Sequence, residues 1–181
     1  LEVDDQEGEH LLSVSRIAAK IEWMSLIRQG KLSIRNIRLF NPDIYIYKES
    51  AETKANYQFL VDAFTANKQE ASSKLNLRIN SLLIRHASIN YDVLTAPHTD
   101  AQFTPHHIAI DDLSTHLSLK HLTNDSLSVM VRQLELTEQS GLRVDNLYLR
   151  LVGNHQGATL ANFRLDMPHS ALLLDTIWAS F

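Results

Sequence analysis

One eight-residue pattern recurs along the chain: apolar, any, apolar, two residues of any kind, apolar, any, apolar. Seven of its occurrences are Leu12-Val14-Ile17-Ala19, Leu32-Ile34-Ile37-Leu39, Leu77-Ile79-Leu82-Ile84, Ile108-Ile110-Leu113-Thr115, Val129-Val131-Leu134-Leu136, Leu142-Val144-Leu147-Leu149 and Ala158-Leu160-Phe163-Leu165. Thr115 is the weakest fit. At 100° per residue the four apolar positions fall on both sides of a helical wheel, so the pattern is not a helical stripe. At 180° they form two pairs on opposite faces, exchanged by the two-residue step. That step is mostly polar, as in Arg35-Asn36, Asn80-Ser81, Asp111-Asp112 and Arg132-Gln133. Each unit therefore reads as a strand with either a central β-bulge, which restores a single face, or a switch of faces. Repeated bulges bend and over-twist a sheet, which suits a strongly curled one.

The elements follow from this pattern. Residues 1–9 are acidic and unpatterned and read as a disordered end or a remnant, leaving 10–181 as one unit. Strands are expected over 10–23, 31–40, 75–85, 87–93, 106–119, 126–136, 142–152, 158–167 and 170–176. A helical turn over 24–29 closes at Gly30. Asn41-Pro42-Asp43 reads as a turn, with 44–47 as a short return strand. One amphipathic helix is expected near 53–66, where Tyr57, Leu60, Val61 and Phe64 fall at i, i+3, i+4 and i+7, capped by Thr53 or Asn56. Lys31–Lys48 also aligns with Asn76–Val93 at an offset of 45, pairing Leu32 with Leu77, Ile34 with Ile79 and Ile44 with Ile89. Repeats that cannot bury a face alone imply a stacked architecture. Irregular spacing argues against a regular β-solenoid. The expected class is mainly β: a curled, bulged, largely antiparallel sheet forming a groove.

Composition narrows the function. Net charge is −4 with both signs interspersed, so a nucleic-acid footprint is absent. There is no cysteine, hence neither disulfide nor thiolate metal site. No apolar run reaches spanning length, and with Leu1 as first residue a signal or anchor could have been removed. The nine histidines are scattered without ligand spacing. His106 and His107 are adjacent and point to opposite faces of a strand. Asp111 and Asp112 face apart as well and suit a bulge better than acid–base work. No nucleophile elbow, phosphate loop or dinucleotide fingerprint is present. Catalytic residues, metals and cofactors are therefore not expected.

What remains is the apolar face. With about ten strands and one helix to cover them, the sheet must form a sandwich, close into a barrel, or stay a trough with an apolar lining. The trough places Leu32, Ile34, Leu77, Ile79, Ile108, Ile110, Val129 and Val131 on one lining, with Tyr57, Leu60, Val61 and Phe64 as a helical plug at one end. Its natural guest is an acyl chain or an apolar strand.

Ile17–Lys48, with its Leu26-Ile-Arg-Gln-Gly-Lys-Leu-Ser-Ile-Arg-Asn-Ile-Arg-Leu-Phe-Asn-Pro-Asp-Ile run, resembles the start of AsmA-like domains, and Asn56 before an apolar helix is similar to the element that follows there. Leu75–Asp92, Phe103-Thr-Pro-His-His and Glu138-Gln-Ser-Gly-Leu look like TamB-type translocation and assembly proteins of Bacteroides-like bacteria. The resemblance spans about residues 12–175. It implies a fragment of a longer periplasmic protein, anchored in the inner membrane by a missing N-terminal helix and forming a taco-like β-groove. Such proteins are associated with phospholipid transport toward the outer membrane and with outer-membrane protein assembly beside a BamA-like barrel. A strand-docking scaffold is the alternative function. A carbohydrate-binding β-sandwich is a third, with Tyr45, Tyr47, Trp178 and Phe181 as its conspicuous aromatics.

Overall fold

In the computed structural model, residues 1–21, 32–60, 77–98, 103–122 and 126–181 are described. They form one open sheet of ten strands: β1 (Glu2–Asp4), β2 (His10–Ile21), β3 (Leu32–Lys48), β4 (Leu77–Val93), β5 (His107–Leu122), β6 (Ser126–Glu138), β7 (Arg143–Val144), β8 (Asn146–Asn154), β9 (Gly157–Met167) and β10 (Ser170–Ser180). The spatial order is β1-β2-β3-β4-β5-β6-β8-β9-β10, with the short β7 paired to β6. Every pairing is antiparallel except β3 with β4. The sheet is neither a sandwich nor a closed barrel, because all ten strands share one sheet and its two ends do not meet.

Five of the seven two-residue steps are bulges. Ile79 and Leu82 of β4 face Leu119 and Leu117 of β5, so three residues of advance on one strand meet two on the other. The same excess falls at Asp111-Asp112 of β5, Arg132-Gln133 of β6, Arg35-Asn36 of β3 and Asn162 of β9. In the sixth unit the step is the break between β7 and β8. In the first unit β2 runs past Ser15 without a shift, because β3 carries its own irregularity opposite, at Asn41. Each extra residue returns the next side chain to the face the previous one left. Ile34, Ile37 and Leu39 are accordingly part-buried, while Arg35, Asn36 and Arg38 are exposed.

A bulge leaves backbone groups without ladder partners, and buried ones need replacements. Ser114 and Thr115, only 2% and 4% exposed, supply two of them. The Ser114 hydroxyl accepts the His86 N–H at 3.2 Å. The Thr115 hydroxyl donates to the Gln133 carbonyl at 2.9 Å. The weakest fit to the apolar pattern is thus a hydrogen-bond donor to the bulge on the neighbouring strand.

Several expectations are corrected. Asn41-Pro42-Asp43 is not a turn, and 44–47 is not a return strand. β3 continues through them in one direction, with Asn41 in the left-handed region at φ 48°. β4 likewise continues through His86 at φ 54°. These two positions are 45 residues apart, and β3 and β4 lie parallel in that register, Leu32 beside Leu77 through Lys48 beside Val93. The repeat is thus real in space, but its copies run side by side rather than as two hairpins. A small residue follows each left-handed position: Pro42, fully buried, and Ala87, with 0% exposure. Proline is tolerated inside this strand because it sits at the irregularity.

Residues 2–4 add a short strand that the apolar pattern does not predict. β1 pairs with β2, and the Asp5 carboxylate accepts the Glu7 and Glu9 amides at 2.9 Å each. The helix near 53–66 is likewise different over its described part. Residues 51–57 are turns and coil, and helix begins only at 58–60. Thr53 and Asn56 cap no helix. Thr53 closes a turn with Ser50, whereas Asn56 accepts the Tyr47 N–H at 3.2 Å and donates to the Tyr45 carbonyl at 3.0 Å, extending the edge of β3. Val61, Phe64 and the turn at 24–30 lie outside the described residues.

Thr115→Val keeps the shape and adds apolar character, yet removes the donor to the Gln133 carbonyl. The expected loss is about 0.5–1.5 kcal/mol in urea unfolding. Thr137→Val, at an exposed site, changes stability by less than about 0.5 kcal/mol.

Candidate functional site: the apolar face

Because the bulges restore phase, aliphatic side chains line up across strands. Ile34 of β3 lies beside Ile79 of β4, then Leu119 of β5, Val129 of β6, Leu151 of β8, Leu160 of β9 and Ile177 of β10. At about 4.8 Å per strand the row runs roughly 29 Å. A second row joins Ile37, Leu82, Leu117, Val131 and Leu149. Toward the other end of the strands Ile44, Ile89 and Ile110 form one row, and Ile46, Tyr91 and Ile108 another. Leu32 and Leu77 are register neighbours beyond Ile34 and Ile79, at positions whose side chains lie outside the described set.

Ile34, Ile79, Ile108, Ile110, Val129 and Val131 therefore occupy one face. The rows also take in Leu117, Leu119, Leu149, Leu151 and Leu160, which the sequence reading left out of the lining. Continuing the same alternation into β5, β8 and β9 is the signal that would have found them. The opposite face carries exposed Arg38, Asp112, Arg150 and Arg164.

No second layer covers the apolar face among the described residues. Leu119, Val129, Leu151 and Leu160 remain only part-buried. Among the described residues the buried apolar set is Leu11, Val14, Pro42, Ala55, Ala87, Val93 and Leu113. The chain exposes 12043 Å². A compact protein of its mass, 20.6 kDa, exposes roughly 9,000 Å². A single sheet without a second layer is one source of that excess. Of the helical plug residues, Tyr57 is 39% exposed and Leu60 is part-buried.

Polar groups mark one end of the face. Glu138, 5% exposed, sits beside Ile110 at the last register position of β6. Burial opposes its charge. Hydrogen bonds from the Ser140 hydroxyl, the Ser140 amide at 2.8 Å and the Ala109 amide at 3.4 Å outweigh that, holding the carboxyl below its usual range. Nearby, His107 contacts the Asp92 carboxylate through Nδ1 at 2.9 Å and the Ala96 carbonyl through Nε2 at 3.2 Å. Both partners only accept, so both ring nitrogens donate and the imidazolium is the form that fits. The Asp92 bond is the main cause of its raised pKa. On the polar side the Tyr47 hydroxyl donates to Asp5 at 2.8 Å, within a shallow acidic cleft of about 440 Å³.

No group of three or more metal-ligating side chains occurs among the described residues, and no described helix is long and apolar enough to cross a membrane. No family model matches the chain, and neither a curated protein nor a solved structure is significantly similar to it.

The two titrating groups act in opposite directions. Glu138 stabilises fully above its ordinary value of 4.5, and the contribution disappears as pH falls through its depressed folded value. His107 stabilises fully below 6.5, and its contribution disappears as pH rises through its raised folded value. Urea midpoints against pH check both: Glu138→Gln flattens the acid limb, and His107→Asn flattens the neutral-to-alkaline limb.

Proposed function

We propose that this chain is a non-enzymatic lipid-conduit segment whose open apolar face carries phospholipid acyl chains. The observation that carries this reading is the uninterrupted aliphatic row across β3, β4, β5, β6, β8, β9 and β10, over which no second layer lies among the described residues. Each buried methylene contributes about 0.8 kcal/mol, so an acyl chain gains affinity in small, even increments along such a lining. Side chains of similar size at regular strand spacing provide no deep trap, which favours sliding over capture. The resemblance to AsmA-like and TamB-type proteins supplies the setting: a periplasmic segment of a protein anchored in the inner membrane, serving phospholipid transport to the outer membrane and outer-membrane protein assembly with a BamA-like partner.

A second reading, a scaffold that docks a β-strand, is favoured by one observation. β10 is an exposed eleven-residue edge strand with a single charged residue, Asp175.

Native mass spectrometry with lipid extraction tests the conduit. Phospholipid is expected to co-purify with the chain. Ile34→Asp combined with Ile79→Asp is expected to weaken binding at least about tenfold, since a buried unpaired carboxylate opposes an apolar guest. Ser128→Asp, on the opposite face of β6, is expected to retain lipid. A folded, lipid-free wild-type chain, or equal binding by both variants, refutes the conduit.

A further inference from the structure

The apolar face has two unlike ends. Near the starts of β3 and β4 its last register row is Leu77, Leu122, Leu127, Gly153, Ala158 and Ala179, none of them charged. At the other end β3 keeps strict alternation, so Lys48 follows Ile44 and Ile46 onto the apolar face, where it lies beside Val93 of β4. Lys48 is the only lysine or arginine among the described positions of this face. One row further in, Ile46, Tyr91 and Ile108 are neighbours, which sets Tyr91 diagonally across from Lys48. Strand spacing and rise put these two Cα positions roughly 8 Å apart. Both side chains are part-buried, and neither has a hydrogen-bond or ion-pair partner among the described residues.

The nearby carboxylates are engaged elsewhere or turned away. Asp92 belongs to the opposite face and contacts His107. Glu49 is exposed beyond the end of β3. Glu138 does lie on the apolar face, in the row Ile44, Ile89, Ile110, Glu138, but three strands from Lys48. Its oxygens already accept from Ser140 and Ala109. A lysine stem lies along apolar surface while its ammonium reaches water. Lys48 therefore holds its charge at the boundary where an amphiphile with tails on this face keeps its head. An ammonium and a phenol both donate, and a phosphodiester offers two acceptor oxygens and a negative charge. Glu138 has the wrong sign for that partner, which confines it to the β3–β4 side.

We propose that Lys48 and Tyr91 form a headgroup site that takes the phosphate of a phospholipid whose acyl chains lie on the aliphatic rows running toward Ile34 and Ile79. This rests on the conduit reading and adds a direction to it. An aliphatic lining alone holds a chain equally well either way round. A single cationic end selects one orientation, head at Lys48 and tails toward the uncharged end.

Isothermal titration calorimetry on the full chain tests it, with circular dichroism to verify folding. The ligands are monomeric dihexanoyl phosphatidylglycerol and dihexanoylglycerol, which has the same tails without the phosphate. The wild type is expected to bind the phospholipid about tenfold more tightly, with the advantage shrinking as salt is raised. Lys48→Met is expected to lose the advantage while keeping its affinity for dihexanoylglycerol. Tyr91→Phe is expected to reduce the advantage by about threefold. Equal binding of both ligands by the wild type overturns the headgroup site and leaves the conduit standing. So does a Lys48→Met chain that retains the full advantage, or one that weakens both ligands alike. Binding of neither ligand by the folded wild type overturns the conduit and the headgroup site together.

Discussion

Everything in this molecule depends on keeping phase. A strand alternates faces every residue, so a long strand stays apolar on one side only while nothing disturbs the count. Here the count is disturbed repeatedly, and the two-residue polar step is where it is reset. Asp111-Asp112, Asn80-Ser81 and Arg132-Gln133 each contribute the extra residue that returns Leu113, Leu82 and Leu134 to the apolar side. Without those resets, half of each strand would present its aliphatic residues to the polar face, and the row from Ile34 to Ile177 would not exist. Such resets carry a cost, since each leaves backbone groups off the ladder. The buried hydroxyls of Ser114 and Thr115 offset it at two of them.

Much of this was legible because it is local. The eight-residue pattern carries its own polar step, so strand identity and the possibility of a bulge could be read from the chain. The offset of 45 was legible too, though not its meaning. Two similar segments can form two hairpins or lie side by side, and only the partner strand decides. Asn-Pro-Asp is turn chemistry by composition, yet Asn41 adopts a left-handed conformation within a continuing strand because His86 does the same beside it. The helix at 53–66 failed at its beginning for a similar reason. Apolar spacing promised a stripe, but Asn56 spends its side chain on Tyr45 and Tyr47, holding the chain against β3 where a helical first turn was expected.

The apolar face was legible residue by residue but not in extent. Ile34, Ile79, Val129 and Val131 could be assigned from pattern, whereas their union into one row requires the register of six pairings. That register depends on which strands are neighbours, a property of long-range topology. Glu138 was visible only as part of a turn. Its placement beside Ile110, as a carboxylate among aliphatic residues, follows from the strand extending two residues past the periodic run.

The open face also sets how the molecule responds to heat and denaturant. The heat capacity of unfolding and the denaturant slope both scale with surface newly exposed on unfolding. A sheet that already shows its aliphatic side to solvent has less left to reveal than a layered domain of equal length. Its stability curve is therefore shallow, its transition in urea broad, and its maximum poorly defined in temperature. A guest that covers the face would sharpen all three at once, so that cooperativity itself reports occupancy.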